Sequence, residues 1–205
     1  MGDLEPGRPA MELPVRPVIP PGRTRQARPL VGVSGLLLFA CMFLPAVRGC
    51  DAPMTPLEVP PFLPPYLYGG VFALLAVWRT ARGLGLGVTL LRALSLIVVL
   101  GSIVVIVLAP PIGAVELVLG GVLLAIVGLF GSSEARVAAA GIAVGVICAV
   151  WFGFWTMTPE ALIGVHLALA SSIGLLVGCL RWLRELHALT VVDMPRAATF
   201  VRRRW

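Results

Sequence analysis

Four side chains in this 205-residue chain are of a type and placement that could do chemistry: Glu116, His166, Arg48 and Glu160. Each lies inside or at the end of a long apolar run, where an ionisable group marks a functional suspect. Glu116 falls about 6 Å from the outer end of its run and His166 about 9 Å from the start of its own, at the rise of an α-helix. A carboxylate and an imidazole at similar depth could pair, bind a cation or pass a proton. Arg48 and Glu160 border the same side. The plainer expectation is that Glu116 sits among lipid headgroups and His166 bonds a neighbouring helix.

Other chemistries are excluded by what the chain lacks. All sixteen basic residues are Arg, so there is no lysine for a Schiff base or a phosphate loop. His166 and His187 are 21 positions apart, about 31 Å along one helix, too far to hold one haem between them. Cys41, Cys148 and Cys179 fall in apolar runs and leave Cys50 without an obvious partner, so neither a disulfide framework nor a metal site is spelled out. GLGLG at 83–87 has no strand before it and reads as a turn. The fourth apolar run, ELVLGGVLLAIVGLF, has no serine for an intramembrane hydrolase. No enzyme, cofactor or metal is expected.

The elements that must position these residues are membrane spans. With 59% apolar and 13% charged residues, the chain cannot clothe a soluble surface. Apolar runs at 30–47, 66–82, 88–109, 112–130, 137–157 and 160–180 predict an all-α, polytopic membrane protein, a six-transmembrane-helix bundle with both termini cytoplasmic. Four or five spans follow instead if the short second run is re-entrant or the fourth lies buried. Alternating the six places fifteen of sixteen Arg residues on one side, leaving Arg48 alone opposite, as the positive-inside rule requires. Tyr66, Tyr68, Trp151 and Trp155 fall near outer ends, Trp78 and Trp182 near inner ones. Small residues recur every fourth position at Gly141, Gly145, Ala149 and Gly153, and again at Gly164, Ala168 and Ser172 and at Ala170, Gly174 and Gly178. Such ladders let helices approach closely.

Between the first two runs, the external loop 48–65 holds six prolines. Proline fixes φ and donates no backbone hydrogen bond, so the loop is expected to be neither helix nor strand, with Pro64 and Pro65 in the first turn of the next span. It reads as a packed cap, a lid or a docking surface. Residues 1–29 are rich in Pro and Arg and too polar to fold, and Met11 is an alternative start. Residues 183–205 form a basic, partly helical cytoplasmic tail, with Arg202, Arg203 and Arg204 as contacts for anionic lipid. Nucleic acid is not an expected partner. The expected site is a bacterial cytoplasmic membrane. The expected role is a structural or accessory subunit or scaffold meeting a membrane-protein partner or its own copies. The alternative is an oligomeric channel or small-solute transporter using the Glu116 and His166 region.

Overall fold

The computed structural model describes residues 27–48, 52–77, 81–129 and 132–201. The Pro/Arg-rich segment before Ala27, together with Cys50, Asp51, Trp78, Arg79 and Arg202 to Arg204, lies outside the described residues. Among the described residues six helices run in chain order: α1 (Ala27–Ala40, continued by a tight turn Cys41–Phe43), α2 (Leu63–Val77), α3 (Ala81–Leu108), α4 (Pro110–Leu129), α5 (Ser133–Thr156) and α6 (Ile163–Val201). Four carry stretches long and apolar enough to cross a bilayer: Gly83–Leu108, Pro110–Gly128, Ser133–Thr156 and Ile163–Ala188; Ala27–Phe43 and Pro64–Val77 are apolar but shorter. Large apolar side chains such as Ile97, Leu100, Val104 and Val107 point outward from α3. Water would not tolerate a surface of that size. The chain is an all-α, multi-pass membrane protein.

Local chemistry explains where the elements begin and end. α1 stops well short of position 47, because Leu44 precedes Pro45 and is driven into extended backbone (φ −93°, ψ 149°). Pro64 and Pro65 occupy the first turn of α2, and Pro110 and Pro111 that of α4, where a missing N–H costs nothing. Ser132 caps α5 by accepting from the Ala135 N–H at 3.3 Å, with Glu134 in the first turn complementing the helix dipole. The sixth helix starts at Ile163 rather than 160, because Glu160 to Leu162 are engaged in a backbone ladder described below.

Two expectations are corrected. Residues 83–87 are not a turn but part of the first turns of α3, and no described glycine has a positive φ. Gly87 is needed there for close approach, since a Cβ would collide with Leu75 of α2. The proline loop is also not free of regular structure. It contains two short strands, β1 (Val47–Arg48) and β2 (Pro53–Met54), then tight turns Pro56–Glu58 and Pro60–Phe62. Each proline sits where no N–H is required: Pro56 and Pro60 open their turns, while at β2 it is the Met54 carbonyl that accepts from Ala46.

Packing follows three antiparallel helix pairs, α1 with α2, α3 with α4 and α5 with α6, and α1 also lies along α6. The α1–α2 seam closes at Gly35 and Gly69, where a Cβ on either would come within 2.7–2.8 Å of the other's carbonyl oxygen. On α5, a Cβ at Gly145 would lie 2.8 Å from Leu176 Cβ and 2.9 Å from its Cα and N. These contacts are the close backbone approach that small residues permit in lipid. Tyr68 donates to Ser95 Oγ at 3.0 Å, a buried link between α2 and α3. A core of Tyr66, Tyr68, Phe72, Leu38, Leu75 and their neighbours fills the centre.

Candidate functional site

Two places gather polar and aromatic groups, one at each end of the bundle. The first is the cap formed by the proline loop. β1 pairs antiparallel with β2 in the register Val47↔Met54 and Arg48↔Pro53, and on its other edge Val47 bridges Ala161. The ladder consists of Ala46 N–H to Met54 O (2.9 Å), Arg48 N–H to Glu160 O (3.0 Å) and Leu162 N–H to Ala46 O (2.9 Å), with Gly164 N–H donating to Pro45 O at 3.0 Å. The α1–α2 loop is thereby sewn to the α5–α6 connection. Thr55 and Glu58 form a capping box, the Thr55 N–H donating to Glu58 Oε2 at 2.8 Å. Phe62 then packs against Trp151 and, edge-on at 5.7 Å, against Trp155. The hollow beneath is about 30 Å³, far below the few hundred Å³ a small-molecule pocket needs. The loop is a folded cap on the C-terminal end of α5.

The four sequence-selected residues divide at this cap. Arg48 and Glu160 come together, but through their backbones; both side chains are exposed. His166 is exposed on α6, with Nδ1 3.1 Å from the carbonyl of Leu162 one turn earlier. Glu116 is 5% exposed on α4, and its Oε1 has no hydrogen-bond partner. Among the described residues no hydrogen bond or ion pair joins Glu116 to His166. Nor do their helices form a packing pair: α4 lies against α3 and α5, while α6 lies against α5 and α1. Cys41, Cys148 and Cys179 are buried and free. Among the described residues no three His, Cys, Asp or Glu side chains cluster as a metal would require.

The second place lies at the opposite end and was not singled out from the sequence. Arg28, at the start of α1, donates from Nη2 to Glu134 Oε1 at 3.0 Å, and its guanidinium stands 5.0 Å above the ring of Trp182 on α6. A partly exposed pair of this kind adds about 1 kcal/mol after solvent screening, while the aromatic face adds a cation–π attraction. Glu185, one turn beyond Trp182, has an enclosed Oε2 without a partner. These residues form the mouth of a half-open groove of 1230 Å³ that continues along the α1–α2 seam. Its signal in the sequence is faint: Glu134 and Glu185 are acids in segments otherwise dominated by Arg. No family model, curated protein or solved structure matches this chain.

Proposed function

We propose that the chain is a six-span membrane protein with both termini in the cytoplasm, serving as an accessory or scaffold subunit whose outer cap is its docking surface. The fifteen-to-one Arg asymmetry supports the orientation. The packing of the two shorter helices supports the span count. Val31 of α1 lies against Gly178, and Pro45 beyond its end against Gly164; these fourteen positions of α6 span about 21 Å. A helix that accompanies α6 so far, and is followed by an antiparallel α2, crosses with it.

The observation that carries the subunit reading is the cap itself. It is fixed by backbone ladders and aromatic packing, yet it presents Met54 (40% exposed) and Leu57 (50% exposed) outward. A rigid platform with apolar side chains on its outer face suits a protein partner, since little ordering entropy is lost on docking. The second reading, an oligomeric channel or transporter, draws on the buried, unpartnered Glu116 Oε1; a carboxyl so placed is costly unless a cation, proton or donor serves it.

Purification of the tagged protein in mild detergent separates the two. The subunit reading expects a stoichiometric partner that is retained by the native chain and lost with Leu57→Glu. A homogeneous homo-oligomer, unchanged by Leu57→Glu and conducting cations in liposomes only while Glu116 is intact, would replace it with the second reading.

A further inference from the structure

The groove along the α1–α2 seam has a shape and a charge arrangement that neither reading uses. Its floor is made of small residues, Gly32, Gly70, Ala73 and Ala76, and its walls are apolar side chains of the two helices. From Arg28 to Phe39 it runs eleven residues of α1, about 16 Å. That is half of the roughly 30 Å hydrocarbon thickness, the depth of one leaflet. The far end is apolar, and every ionisable lining residue sits at the mouth: Arg28, Glu134 and Glu185. A furrow with one charged end and one leaflet of apolar length has the outline of a lipid.

The mouth also selects a headgroup. Among the described lining side chains Arg28 and two carboxylates sum to −1, so the mouth offers acids for an ammonium beside a guanidinium for a phosphate. Arg28 spends one donor on Glu134, and a guanidinium has five, so donors remain for a phosphate. The Glu185 carboxylate lines the mouth and its Oε2 has no hydrogen-bond partner, so the group can take an N–H donor from a ligand. A primary ammonium supplies one; a trimethylammonium, with no N–H, cannot.

We propose that this groove binds a phospholipid carrying a primary amine, its acyl chain along the α1–α2 seam, its phosphate on Arg28 and its ammonium on Glu185. The site lies at the end opposite the cap, so it stands whatever the cap's partner is. The amine contact is a hydrogen bond to a charged group, which corresponds to about tenfold or more in affinity.

The test is native mass spectrometry of the full chain, delipidated in detergent and titrated with phosphatidylethanolamine, phosphatidylcholine and phosphatidylglycerol of one acyl composition. The amine lipid should be retained about tenfold more tightly than the choline lipid. Glu185→Gln, nearly isosteric, should bring those two within about twofold while leaving the melting temperature of the lipid-free protein unchanged. Leu36→Trp, at a wall position already 58% exposed, should weaken all three by filling the acyl track without touching the mouth. Equal retention of the three lipids, a preference for the glycerol lipid, or an amine preference that survives Glu185→Gln would each overturn the assignment. So would a full chain whose groove is closed to every lipid by its own residues 1–26 or by a second copy.

Discussion

Gly145 and Gly153 occupy the same helix and the same four-residue ladder, yet the structure gives their substitution by alanine opposite signs. A Cβ on Gly145 would stand 2.8–2.9 Å from the Cβ, Cα and N of Leu176, where carbon contacts settle at about 3.5–4.0 Å. Two of those three atoms are backbone, so no rotamer change relieves the clash, and α5 and α6 must separate by about 0.7 Å. Overpacking of this kind costs about 1–3 kcal/mol. At Gly153 nothing lies within 4 Å of the added carbon, and alanine there only gains helix propensity, about 1 kcal/mol. The propensity gain is common to both, so the variants should differ by the overpacking alone. For a chain of this length that is roughly 4–8 °C in melting temperature, taking about 2 kcal/mol at 2–4 °C each. The assay is thermal unfolding in one detergent, followed by tryptophan fluorescence, with Gly145→Leu as a harsher member of the series. If Gly145→Ala melts with Gly153→Ala, that face of α5 is not packed on the α6 backbone and the helix pairing is wrong.

Two other outcomes probe the polar link and the orientation. Tyr68→Phe leaves the buried Ser95 hydroxyl without the partner it has at 3.0 Å and should cost about 1 kcal/mol in unfolding; adding Ser95→Ala should recover most of the loss, and a double variant whose loss is the sum of the two single losses would show that the bond is not what stabilises the α2–α3 contact. A membrane-impermeant thiol reagent applied from outside should modify Cys50 and spare a cysteine introduced by Ser132→Cys, whereas the reverse pattern inverts the proposed topology.

The fold was legible where the physics is one-dimensional. Apolar length locates each helix, although α3 begins at Ala81 rather than 88 and α6 runs on to Val201 beyond the apolar run 160–180, and proline marks several boundaries because its effects on φ and on the N–H are local. The misread elements depend on partners far along the chain. Residues 83–87 look like a glycine turn until Leu75 of α2 is found pressed against Gly87. The proline loop looks irregular until the Glu160 carbonyl and the Leu162 N–H arrive from the α5–α6 connection to complete its ladder. No local propensity announces a strand of two residues whose bonds go to a segment more than a hundred positions away.

The polar candidates fail to converge for a related reason. Depth along a helix follows from counting, at a fixed rise per residue, so Glu116 and His166 could be assigned similar levels from the sequence. Azimuth and neighbour do not follow from counting. α5 packs against both α4 and α6, and His166 turns outward to the Leu162 carbonyl just before its helix while Glu116 is buried. Arg28, Glu134, Trp182 and Glu185 show the converse. Each reads alone as an interfacial residue at a span end, as charges and tryptophans ordinarily are. Only the contact of α1 with α6, and the start of α5 beside them, turns four such residues into one mouth with an unfilled acceptor. In a bundle this apolar, a binding site is thus set less by which polar residues exist than by which helix ends meet, and helix-end neighbours are what the tight glycine seams decide.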